Sequence, residues 1–204
     1  MTGVQTCALP ILASFLPEGS VSYLYYADRL FQFPLGVFGV AVGVAALPAL
    51  SSLAGDDQRT EFGQALSSAL NLILFINLPA AAGLAGLAGP LVDVLFGRGE
   101  FSGAAVHGTA LALLGYVPGL PAFSCVRSLA SAYYALGDTK TPVRVAVVCL
   151  LAYVLMGGIG MQVLGHVGLA LASSVSAWIN VLLLGVLLRR HCGSWFRPGR
   201  DLRG

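Results

Sequence analysis

The chain has 204 residues, of which 57% are hydrophobic and only 10% charged, with a formal net charge of +2 and a mean hydropathy of +0.83. A soluble globular domain carries roughly 25% charged residues, so this composition excludes that class and leaves the bilayer as solvent. The small basic excess does not point to nucleic acid, because five of the eleven basic residues gather at the C-terminal end beside an apolar segment, where membrane orientation accounts for them.

In chain order, residues 1–11 (MTGVQTCALPI) carry no Lys or Arg and are too short to cross a membrane. They resemble a translated sequencing adapter and are expected to be non-native. Residues 12–20 read as the end of a lost span followed by an outer turn at Pro17-Glu18-Gly19-Ser20. Five apolar segments follow, near 21–50, 66–87, 104–126, 143–164 and 167–188, each matching the roughly 20 helical residues that cross a hydrocarbon core. Closed-barrel strands would instead alternate over about ten residues. The expected fold class is therefore all-α, a polytopic transmembrane helix bundle over 21–190, with a basic tail at 191–204.

Basic residues are unevenly divided between the two sides. Arg59, Lys140, Arg144, Arg189, Arg190, Arg197, Arg200 and Arg203 fall on one face and Arg98 on the other. The positive-inside rule makes the first face cytoplasmic. The first span then runs inward, so an odd number of earlier spans is expected upstream. The C-terminal tail is expected in the cytoplasm.

The first span carries the chemistry. Asp28 and Arg29 lie at the head of an otherwise apolar run, and a charge in a span costs several kcal/mol or more unless a cavity, partner or polar ligand meets it. Tyr23, Tyr25 and Tyr26 precede the pair, and Gln32 falls one turn beyond Arg29 on nearly the same face. Pro34 removes a backbone donor from the Leu30 carbonyl and favours a bend, with Gly36 just beyond as a second hinge residue. A guanidinium there suits bidentate contact with phosphate oxygens. The competing reading has Arg29 snorkelling to the outer interface, with Tyr25 and Tyr26 as belt residues and Asp28 as its local partner. Its position about nine residues, or roughly 13 Å, into the span favours the cavity.

Other features carry less. Gly36, Gly39, Gly43 and Ala46, and again Gly83, Gly86 and Gly89, predict close helix packing, while Pro79, Pro118 and Pro121 predict interruptions. Arg98 and Glu100 in a glycine-rich outer turn are gate candidates, as are Asp138 and Lys140 before Pro142, although a solvated pair and a capped helix start explain them as well. His107 and His166 read as interfacial, and Asn71, Asn77 and Asn180 as interhelical hydrogen-bond partners. The four cysteines (Cys7, Cys125, Cys149, Cys192) show neither disulfide nor metal spacing. Hydrolase, metalloprotease and phosphate-loop motifs are missing, so no enzyme, metal site or cofactor is expected.

Several runs carry a family resemblance. VSYLYYADRL at 21–30, FPLGVFGVA at 33–41 and LPALS at 47–51 resemble the eighth-span signature of the MurJ/MviN lipid II flippases. LFGRGEF at 95–101 resembles the turn after that family's ninth span, and AYYALGDTKTP at 132–142 the cytoplasmic loop between its tenth and eleventh. The likeness runs from about residue 12 to 190 and implies spans eight to twelve of fourteen, most of the second lobe of a two-lobed fold.

The resemblance implies a bacterial plasma-membrane flippase that passes the diphosphate-sugar head of lipid II, or of a similar polyprenyl-diphosphate-linked glycan, across the bilayer by alternating access. By position, Arg29 is the cavity arginine and Asp28 its orienting or gating partner. Gln32 stands where some members carry glutamate. The implied partners are that lipid, the surrounding membrane lipids and the protein's own N-terminal lobe. Two rivals stay open: an exporter of another polyprenyl-linked saccharide or of drugs, and a membrane scaffold without transport.

Overall fold

The computed structural model describes residues 17, 19–53, 59–98, 101 and 103–191. The adapter-like segment 1–11, most of 12–20, Glu100 and the tail beyond 191 lie outside the described residues, and among those described there is no strand.

Residues 20–52 are helical throughout but not uniform: α1 (Ser20–Pro34) passes into a π-helical stretch (Leu35–Val40) and then α2 (Ala41–Ser52). The change begins at Pro34, which has no amide to continue the i→i−4 ladder, and a wider π turn is one way to accommodate the gap. The remaining helices are α3 (Arg59–Gly86), a short α4 (Ala88–Phe96), α5 (Gly103–Tyr116), a 3₁₀ turn (Val117–Gly119), α6 (Leu120–Ala135), α7 (Lys140–Leu164) and α8 (His166–His191). Four stretches are long and apolar enough to cross a membrane: Thr60–Gly86, Gly103–Ala135, Lys140–Leu164 and His166–Arg189. The segment expected at 21–50 is helical but divided by the π stretch and is not among these four, so four of the five expected spans are matched.

Two more expectations change. α3 runs without a break through Pro79, whereas Pro118 falls within the 3₁₀ turn joining α5 to α6. The third span extends to Ala135, well past the expected end at 126, and α4 occupies a stretch that reads from sequence only as the approach to a turn.

The interior has two tiers. One unites Leu24, Phe31 and Leu35 with Val92, Leu113, Tyr116 and Leu169. The other unites Leu50, Phe62 and Leu66 with Leu129, Tyr133, Cys149 and Leu184. In lipid, apolar contact gains little over hydrocarbon, so close packing and interhelical hydrogen bonds hold such a bundle. Asn77 behaves as expected of an interhelical partner, accepting from Ser124 Oγ at 3.1 Å and donating to the Ile73 carbonyl. Asn71 is exposed. Tyr133 Oη donates to the Leu184 carbonyl at 2.9 Å, and Ser176 Oγ to the Cys149 carbonyl at 2.9 Å. At the 3₁₀ turn, where the α ladder is interrupted, Ser174 Oγ donates to the Gly115 carbonyl at 2.8 Å and Trp178 Nε1 to the Pro118 carbonyl at 3.0 Å.

Of the glycines in the sequence pattern, Gly39 and Gly43 lie outside the described side chains, and Gly36 has open space around it. A Cβ on Gly83, Gly86 or Gly89 would meet nothing within 4 Å, whereas one on Gly168 would overlap the Gly160 carbonyl where α7 and α8 cross. Gly165, at φ 57°, makes the one-residue turn between those two helices. Spacing at Gly83, Gly86 and Gly89 satisfied the small-residue pattern, but among the described residues no helix packs against them.

Candidate functional site

Beyond the buried Ser20 at its start, α1 turns an apolar stripe inward. Leu24, Ala27, Phe31 and Leu35 are buried and lie at helical spacing along one stripe, facing α5 and the α6 start. Phe31 packs on Tyr116 and Phe123, with ring centroids 5.6 and 5.5 Å away. At the N-terminal end of α1 Tyr26 meets Phe96 and Phe101 at 4.8 and 5.3 Å, while Tyr23 stacks edge-on against His166 at 5.5 Å. His166 in turn bonds the Gly108 carbonyl at 3.1 Å, a packing role.

The opposite face presents Tyr25, Arg29, Gln32 and Gly36, all exposed. Two pairs at i, i+4 order it. The Arg29 Nη2 donates to Tyr25 Oη at 3.0 Å, and the guanidinium carbon stands 4.9 Å from the centre of the Tyr25 ring, a cation–π contact. Gln32 Nε2 donates to a half-buried Asp28 carboxylate oxygen. Tyr25 therefore fixes the guanidinium, and Gln32 rather than Arg29 is the hydrogen-bond partner of Asp28. Gly36 lies in the π stretch with open space around it, two residues beyond the buried Pro34.

The gate candidates are scattered. Arg98 is exposed after α4, and Glu100 is outside the described residues. Asp138 Oδ1 accepts from the amides of Lys140 and Thr141 at 3.0 and 3.1 Å, capping α7 as a helix start, and Lys140 is exposed beside it. The structure brings Tyr25, Asp28, Arg29 and Gln32 together and leaves these others apart.

One charged residue was missed. A groove of about 440 Å³ opens between α6, α7 and α8, lined among others by Phe123, Arg127, Val147 and Asn180. Arg127 lies within the Gly103–Ala135 stretch and is half-buried. The signal was present, an arginine following Ser124-Cys125-Val126, but ending the span at 126 placed it outside. Arg29 is not part of this groove.

Comparison with known proteins agrees with this architecture. The profile of the family described as lipid II flippase MurJ matches residues 5–200. A probable lipid II flippase MurJ of Vibrio cholerae is 42% identical over 173 residues, covering 85% of this chain and 33% of that protein. One of Bdellovibrio bacteriovorus is 40% identical over 179 residues, covering 88% of this chain and 34% of that protein. The chain thus spans about a third of the length of these curated relatives. The solved structure of a lipid II flippase MurJ in an inward closed conformation superposes with a TM-score of 0.83 at 30% identity, covering 91% of this chain and 39% of the other. A profile match over nearly the whole chain, with relatives above one-third identity and a close structural neighbour, establishes that this chain belongs to the MurJ lipid II flippase family.

Proposed function

We propose that this chain is the second-lobe portion of a flippase for lipid II or a similar polyprenyl-diphosphate-linked glycan, moving the head group from the cytoplasmic to the outer leaflet. The observation that carries this reading is the guanidinium of Arg29, clamped by Tyr25 on the open face of an otherwise apolar helix. A permanent cation at membrane depth calls for an anion, and a planar five-donor fork suits a diphosphate better than a point charge does. The face that bears it is open in this chain, and the N-terminal lobe of the complete protein closes the cavity against it.

Each neighbour has a part. Tyr25 holds the fork in one orientation, so less rotamer freedom is lost when the head group binds. Asp28, tied to Gln32, sets the local field beside the cation without neutralising it. Pro34, the π stretch and Gly36 let α1 tilt against α2 as access alternates. Transport makes and breaks no covalent bond, so no catalytic residue is required. The turn at 137–139 and the tail lie in the cytoplasm, and Arg98 lies outside, as a solvated residue at the outer mouth.

The test is a chimaera in which residues 20–191 replace the matching third of the Vibrio cholerae relative, expressed in flippase-depleted cells. Growth and surface exposure of lipid II are expected to be restored. Arg29→Ala in that chimaera is expected to abolish both while membrane expression persists. Full function of the Arg29→Ala chimaera would overturn the assignment of Arg29. A well-expressed chimaera that restores nothing would overturn the choice of substrate.

A further inference from the structure

The groove between α6, α7 and α8 serves no purpose in the reading above. Its walls are Phe123, Val126 and Ala130 on one side and Val143, Ala146, Val147 and Leu150 on the other, with Arg127 and Asn180 as polar members. Val143 and Val147 are also exposed, at 59% and 52%, so the groove opens sideways, where hydrocarbon chains lie. Arg127 lines it from a half-buried position, and among the described residues no carboxylate pairs with it. A cation desolvated in an apolar trough is costly unless an anion meets it.

The placement also says what kind of anion. Arg127 stands eight residues before the end of α6 at Ala135, about 12 Å along the axis, within snorkelling reach of the headgroup layer. Exposed Lys140 and Arg144 stand at the same end, where α7 begins, and Tyr134 marks the rim with 51% exposure. A molecule fitting these features has an apolar chain to lie along α6 and α7 and a phosphate to reach Arg127 from the basic rim. We infer that this groove is a binding site for an anionic phospholipid of the surrounding leaflet, whose phosphate is held by Arg127 and whose acyl chain occupies the trough. The site is separate from the Arg29 face and does not depend on the transport reading.

The test uses the full chain in nanodiscs of phosphatidylcholine doped with phosphatidylglycerol, with native mass spectrometry reading the lipid that stays bound. Wild type is expected to retain phosphatidylglycerol over phosphatidylcholine. Arg127→Gln is expected to cut that preference about tenfold, the scale of one charge-assisted hydrogen-bonded contact. Arg127→Lys keeps most of it, and Val147→Trp, which fills the trough, removes retention of both lipids. Equal retention of the two lipids by wild type would overturn the site, as would undiminished preference in Arg127→Gln. If Arg127→Gln does not fold, Val147→Trp decides, because retained phosphatidylglycerol there also overturns it. In the chimaera, a cysteine at position 147 that cross-links to another protein helix rather than to a photoreactive phospholipid would show a protein occupant and overturn the lipid assignment.

Discussion

A guanidinium at an exposed position on a membrane helix is useful for recognition only if it is held still. Tyr25 does this twice, through its hydroxyl and through its ring. Tyr25→Phe removes the hydrogen bond and keeps the ring contact, so the chimaera is expected to expose lipid II several-fold more slowly, in line with a loss of about 1 kcal/mol. Tyr25→Ala removes both and slows it further. Arg29→Lys restores charge without the fork and is expected to rescue Arg29→Ala only in part. A rate for Tyr25→Phe equal to wild type would show that the pair is incidental. These residues were legible because charge stands out in an apolar run. Arg127 was equally charged and was overlooked, since a span of about 20 residues was assumed where the helical stretch runs to 33.

At the level of elements, two glycine substitutions separate close helix contact from a small-residue pattern. Gly168→Ala forces α8 away from the Gly160 carbonyl and is expected to lower the thermal stability of the purified chain by several degrees, whereas Gly83→Ala, with open space around it, leaves it unchanged or raises it slightly. Ser174→Ala should cost roughly 1 kcal/mol by leaving the Gly115 carbonyl without its side-chain donor; a thermal midpoint equal to wild type would count against that bond. The helices themselves were readable from hydropathy because the bilayer demands satisfied backbone groups. Which glycines touch was not readable, since spacing fixes a face of one helix and says nothing of what lies opposite. The π stretch was signalled only by Pro34, from which a bend follows but not its geometry.

For the molecule as a whole, the arrangement of α3 to α8 puts the turn at 137–139 and the turn at 97–98 at opposite ends of the bundle. Single cysteines at Thr139 and Arg98 in the chimaera are expected to react with a membrane-impermeant maleimide from opposite sides, Arg98→Cys in intact cells and Thr139→Cys only after lysis. Labelling of both in intact cells would refute the orientation drawn from the basic residues. Composition sufficed for the class and the resemblance for the family. The two-tier interior was not foreseeable, because it depends on which buried residues of separate helices share a level.

The turn at Gly165 has a consequence for how the protein is made. With one residue between α7 and α8, and Gly160 facing Gly168 across them, the pair forms a hairpin with its own close contact. Such a unit can leave the ribosome, enter the insertion machinery and reach its final shape as a single cargo. Lengthening that turn would then first be felt as slower biogenesis and greater turnover by quality-control proteases, with the mature protein working normally.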